Sequence, residues 1–212
     1  MRRIAGMLAL CALLLPMSAW ADPLILNKFG TVSITASGTV SRGSQLVSFF
    51  FINAPSGHSL GSVTFSTGAL TSGSIWSGGT FASTGSTFDV VGVGPWAKSL
   101  TGCFKCTGPI ALFTGSFIGS IKWTLVGQTG KYDYVFTLKG LVKGMLWGGR
   151  ESIVPTTQTI YVDQNQWFHN HRGSIGLGKT DFRIGPEPGT LGLFGAGLIV
   201  IGAAMRRKLL GS

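Results

Sequence analysis

Charge is scarce in this chain. Only 11% of its 212 residues are Asp, Glu, Lys or Arg, against about 25% in an average soluble domain. Acids are the scarcest: seven Asp and Glu stand against 17 Lys and Arg. Few carboxylates leave little from which to build an acid–base pair. Asp89, Asp133, Glu151, Asp163 and Asp181 are too sparse to single out a glycosidase pair. There are three cysteines, and Cys11 lies inside an N-terminal apolar run, so a four-ligand zinc site at Cys103 and Cys106 has no second cysteine pair to draw on and would need His169 and His171. No apolar run reaches the roughly 20 residues that comfortably span a bilayer. From Leu24 to Ile184 there is no convincing amphipathic helix.

What is present points elsewhere. Glycine accounts for 33 residues and hydrophobic residues for 44%, enough for a core and too apolar for disorder throughout. Between Asp22 and Gly185, twelve Lys or Arg outnumber six Asp or Glu, an excess of six. Such an excess attracts acidic polysaccharide, nucleic acid or anionic lipid in general. Here the basic residues are scattered singly with no run of five, which reads as a solvated surface, and no nucleic-acid partner is assigned.

The two ends are the most informative segments. Arg2 and Arg3 precede an apolar stretch, Ile4 to Leu15, broken by Pro16. Ala19-Trp20-Ala21 is a small-x-small cleavage site before Asp22, so residues 1–21 read as a signal peptide. Leu10 is too large for a lipoprotein signal before Cys11, and the arginine pair lacks the flanks of a twin-arginine signal. The mature chain is expected to begin at Asp22. At the other end, Pro186-Glu187-Pro188 is a stiff, extended spacer. An apolar, Gly-rich segment, Leu191 to Met205, follows, and then Arg206-Arg207-Lys208, which would hold that flank in the cytoplasm.

These three elements, in this order at the C-terminus of a chain with a signal peptide, resemble the PEP-CTERM sorting tail. The resemblance covers about the last 25 residues. It implies recognition by an exosortase, a membrane transpeptidase that cleaves near Pro186-Glu187-Pro188. It also implies transient residence in the inner membrane and delivery to the cell surface or extracellular matrix of a Gram-negative bacterium. Family members accompany extracellular polysaccharide, which makes polysaccharide the expected partner class. Gly185 stands where the family often has Val, and Leu209 to Ser212 run past the basic cluster.

The body, residues 22–185, reads as strands. Tyr132, Tyr134, Phe136, Leu138 and Val142 share one parity, with Lys131, Asp133, Thr137, Lys139 and Lys143 on the other. Phe113, Phe117, Ile121, Trp123 and Leu125 alternate with Thr114, Ser116, Ser120, Lys122 and Thr124. Gln128-Thr129-Gly130 is the expected turn between the two runs. Thr31 to Val40, Leu46 to Ile52, Gly61 to Ser66, Thr87 to Val93 and Thr156 to Val162 are further strands, and Thr67 to Gly85 is a loop or edge strand. The expected fold is all-β, an antiparallel β-sandwich or jelly roll, between an N-terminal signal helix and one short C-terminal transmembrane helix (residues 186–212).

Several motifs bear on chemistry. Gly57-His58-Ser59-Leu60-Gly61 matches the G-x-S-x-G elbow, and Ser59, Asp163 and His169 fall in triad order. The elbow needs a strand, a sharp turn and a helix, whereas Ser62 to Ser66 alternates like a strand. Gly173 to Thr180 fits G-x-x-x-x-G-K-[ST], but too few residues precede Pro186 for the helix that binds phosphate. Cys103 and Cys106 suit a local disulfide first, free thiols second and zinc third. His169 and His171 suit a metal, a surface loop or an aromatic sugar-binding patch. The reading that follows is a non-enzymatic surface or matrix protein with no catalytic residue, cofactor or metal assigned. The alternative is a secreted hydrolase using Ser59 or a carboxylate pair. A strand after Ser59 would remove the elbow, and a helix would revive it.

Overall fold

The computed structural model describes residues 24–128, 134–163 and 171–182. The chain divides after Phe182, and the second unit, Arg183–Ser212, lies outside the described residues. The expected cleavage site at Ala19 and Ala21, the helix at Leu191–Met205, Thr129, Gly130 and His169 lie outside them as well.

The described chain runs β1 (Leu24–Lys28), β2 (Thr31–Thr35), β3 (Gly38–Arg42), β4 (Ser44–Phe49), β5 (Ile52–Asn53), β6 (Gly61–Ser66), β7 (Leu70–Ser74), β8 (Gly78–Phe81) and β9 (Thr87–Gly92). A short helix, α1 (Pro95–Thr101), precedes β10 (Ile110–Gly127), β11 (Tyr134–Leu146), β12 (Glu151–Val162) and β13 (Arg172–Asp181). The expected strand over Thr31 to Val40 is in fact a hairpin: β2 and β3 pair with Thr35 opposite Gly38. The glycine-rich stretch after Ser66 forms β7 and β8, which pair with each other.

Several of these strands are pieces of longer staves. β1 runs into β2 through Phe29 and Gly30, both at positive φ (62° and 86°). A side chain at Gly30 would meet the backbone nitrogen of Ser44 at 2.5 Å, so the kink requires glycine. β3 runs into β4 through Gly43. β6 continues into β7, held by Thr67 N–H to Thr39 O and Leu70 N–H to Ala36 O. β8 leads into β9, and both pair with β10, β8 at Ile121–Thr124 and β9 at Ile110–Gly115.

Each stave pairs antiparallel with the next in sequence, and the last, β13, pairs with the first through Leu24–Asp181 to Asn27–Gly178 and Thr31–Ser174 to Ser33–Arg172. The result is a closed, up-and-down barrel of eight staves. The all-β, antiparallel expectation holds, but the two stacked sheets of a sandwich or jelly roll do not form. Closure satisfies the edge N–H and C=O groups that an open sheet leaves unpaired.

Alternation sends one parity inward. Trp123, Phe49, Phe65, Phe81, Phe88, Phe113, Phe136 and Phe182 are all fully buried and fill the interior. On β10, the outward positions between Phe113 and Trp123 include Thr114, Ser116, Ser120 and Lys122. At one end, α1 packs against the barrel: Ala97 is buried, and the Trp96 indole donates to Leu60 O at 3.1 Å.

The interior also holds a polar cluster. Asn27 Nδ2 donates to Ser44 Oγ at 2.7 Å and to Gln158 Oε1 at 3.0 Å. Gln158 Nε2 donates to Thr156 Oγ1 at 3.1 Å, and the Thr156 and Thr180 hydroxyls lie 2.8 Å apart. All five side chains are buried and partnered, which is the condition under which buried polar groups are tolerated. A side chain at Gly178 would run into the amide oxygens of Asn27 and Gln158, so glycine is required there.

Candidate functional site

The elbow around Ser59 is absent. Ser59 is exposed, and the chain passes from it through Leu60 straight into β6. No helix follows to seat a nucleophile at its start. Asp163, the second residue of the sequence-ordered triad, is exposed just past the end of β12.

The nucleotide-like run Gly173 to Thr180 is β13 itself, with no helix N-terminus to meet a phosphate. Its glycines serve packing. Gly173 lies against Ile160 and Val162, Gly176 lies under the Tyr161 ring, and Gly178 admits the Asn27–Gln158 amide pair. Lys179 points outward and Thr180 inward to Thr156.

Three of the four described acids are engaged one by one. Glu151 Oε1 lies 2.9 Å from Lys143 Nζ. Asp181 Oδ1 lies 3.2 Å from Lys179 Nζ, an ion-pair contact without hydrogen-bond alignment. Asp89 sits on β9 between Thr64 of β6 and Thr114 of β10. Burial pushes its carboxyl above the usual carboxylate range, and a hydrogen bond from Thr114 offsets part of that rise. Folding therefore favours the protonated acid. Its stabilising contribution is full below the unfolded value of 3.8 and is lost as pH rises through the folded value. Asp89→Asn, neutral at every pH, is expected to unfold at higher urea than the natural chain at pH 7 and to match it at pH 3. Urea midpoints at the two pH values check this, and an equal gain at both would assign the effect to something other than charge.

Cys103 and Cys106 are bonded to each other in the loop after α1, with Cα atoms 5.4 Å apart. His171 begins β13's approach at φ 49°, and its ring packs against Trp76 at 5.7 Å between centroids. Among the described residues no three His, Cys, Asp or Glu side chains come together as metal ligands.

One concave feature lies where the β2–β3 hairpin meets β13. Thr31, Ser33, Val40, Arg42 and Arg172 line a groove of about 360 Å³ on the outer wall. Register places Thr31 opposite Arg42 and Ser33 opposite Arg172. Neither guanidinium has a carboxylate partner among the described residues. Two forked cations beside two hydroxyls suit a carboxylate, sulfate or phosphate. Sequence reading passed over this pair because Arg42 and Arg172 are 130 positions apart. The available signal was the Ser37-Gly38 turn, which would have set Thr31 opposite Arg42.

Comparison with known proteins locates a family feature in the tail. Residues 186–208 match the model of the PEP-CTERM protein-sorting motif. Pro186, Glu187 and Pro188 open the match and Arg206, Arg207 and Lys208 close it. No curated protein and no solved structure matches the chain.

Proposed function

With an exosortase-sorted tail as the premise, we propose that this chain delivers a non-enzymatic β-barrel to the cell surface or matrix of a Gram-negative bacterium, where it holds polysaccharide. The observation that carries the reading is the sorting motif at residues 186–208, which marks an exported protein processed at the membrane. The signal peptide of residues 1–21 supplies the route to that membrane. The non-enzymatic part draws support from the strand that follows Ser59 and from Asp89, Glu151 and Asp181, which each meet a separate neighbour. The polysaccharide part draws support from the groove lined by Arg42 and Arg172.

The test is to fractionate cells with and without the exosortase and to probe each fraction for the barrel. The expected result is protein in the polysaccharide matrix of the first strain and in the inner membrane of the second. Barrel left in the inner membrane of both strains would overturn the delivery. Shortening of matrix polysaccharide by the purified protein would replace the non-enzymatic reading with the hydrolase.

A further inference from the structure

Basic residues that stand apart in the sequence meet on the barrel wall. Lys122 of β10 lies directly opposite Lys139 of β11. Lys139 lies opposite Thr157 of β12, and Thr157 opposite Lys179 of β13. All three lysines are exposed, on the outward parity. They form one row across four adjacent strands. With strands about 4.8 Å apart, the charges repeat at about 5 Å and then about 10 Å.

Like charges directly opposite each other destabilise a sheet. Lys122 and Lys139 accept that cost with no carboxylate partner among the described residues. Lys179, at the end of the row, lies 3.2 Å from Asp181 Oδ1, and Lys143, four residues along β11 from Lys139, lies 2.9 Å from Glu151 Oε1. An opposed, unneutralised pair is what an anionic ligand would stabilise. Hydroxyls stand beside the row at Thr80 opposite Lys122, at Thr124 and Thr137 one step along their strands, and at Thr157 within it, while Leu141, Pro155, Leu177 and Asp181 occupy the other adjoining positions. Hydroxyls suit sugar hydroxyls. The row itself carries no aromatic ring to stack a base, which distinguishes it from a nucleic-acid platform. On the same outward side of β13, about 20 Å from Lys179 at a strand's rise, Arg172 enters the groove it shares with Arg42.

We propose that the outer wall of β10–β13 binds an extended, acidic polysaccharide. Lys122 and Lys139 receive successive carboxylates, Lys179 receives a third by exchanging Asp181 for the ligand, and the Arg42–Arg172 groove anchors a further acidic unit. This rests on the matrix reading for where the polymer is met, and on strand register for the site. The repeat of charge along the row is on the scale at which an acidic polysaccharide repeats its carboxylates. The chemistry is ionic and depends on salt, since binding releases counterions from the polymer.

The test uses the protein purified from cells on immobilised polygalacturonate, with dextran as the neutral polymer, phosphatidylglycerol vesicles and an oligothymidylate in parallel. The expected result is retention on polygalacturonate that salt abolishes, and none on dextran. Lys122→Ser/Lys139→Thr/Lys179→Ser should bind polygalacturonate at least tenfold more weakly, and Arg42→Ser/Arg172→Ser should weaken it independently. The lysine variant should melt no lower than the natural chain, because an opposed like-charge pair has gone. That separates a binding defect from misfolding. Equal binding by the lysine variant and the natural chain overturns the proposal, as does equal retention on dextran or a preference for vesicles or oligothymidylate. Lysine-dependent binding to polygalacturonate by a protein that never reaches the matrix would keep this site and remove the delivery reading. Matrix delivery without such binding would do the reverse.

Discussion

Replacing Pro186-Glu187-Pro188 with three alanines is expected to leave export intact and to trap the uncleaved chain in the inner membrane, with the matrix fraction close to empty. The reason lies in what each part of the tail does. Leu191 to Met205 is fifteen residues, which as a helix would be about 22 Å at about 1.5 Å each, against a hydrocarbon core of about 30 Å. Gly189 and Thr190 can lengthen the helix outward, and the long side chains of Arg206, Arg207 and Lys208 can snorkel to the cytoplasmic surface. Such a span is expected to hold weakly, as a transient anchor should. By the sequence reading, Pro186 and Pro188 would not continue such a helix, and the segment beyond it would be extended and open to a transpeptidase. Alanine, the best helix former, removes that stop and lengthens the span. Immunoblotting of membrane and matrix fractions checks this. Processing and release at the natural rate would show that the Pro-Glu-Pro segment does not direct sorting.

Trp123→Ala is expected to lower the unfolding free energy by about 3–5 kcal/mol and the melting temperature by on the order of 10 °C. Trp123 is 1% exposed, and its ring stacks on Phe136 at 4.3 Å between centroids with 5° between planes. Its indole donates to the carbonyl of Ile75 at 2.9 Å, tying the β7–β8 hairpin to β10. The substitution leaves a cavity in a filled barrel and an unpaired carbonyl, costs that add. That is a large share of the roughly 5–15 kcal/mol that holds a domain folded. Thr124→Ala, on the outward side of the same strand, should change stability by no more than about 0.5 kcal/mol. Calorimetry of the two variants decides it: equal, small shifts would mean that Trp123 is not the interior anchor its geometry indicates.

Much of the local structure was legible along the chain. The alternation over Phe113 to Leu125 placed Phe113, Phe117, Ile121 and Trp123 inside, and all four are buried. Leu125 shares their parity but is 36% exposed, because β10 nears its end there and the register with β11 slips after Leu125. The β2–β3 turn was missed, since Ala36-Ser37-Gly38 interrupts an otherwise continuous alternating run. Strand β13 was obscured by its glycines, whose packing role depends on Tyr161, Asn27 and Gln158 from other strands. Helix α1 is seven residues, too short for a helical period to show.

The division between the two sources of information follows from the range of the forces involved. The sequence alone determined the sorting motif of this protein, because such a tail is a linear segment read by its Pro-Glu-Pro, its hydrophobicity and its charge order. It also determined the β character, since a period of two needs only neighbouring residues. It could say which side of a strand a residue faces, but not which strand lies beside it. Closure of β1 on β13, the buried Asn27–Gln158 bond across 131 positions, the Arg42–Arg172 groove and the lysine row all depend on register between staves. Register is set by the packing of the whole interior. Lysines that are scattered in one dimension therefore become a single charged row only when β10 to β13 pair in register.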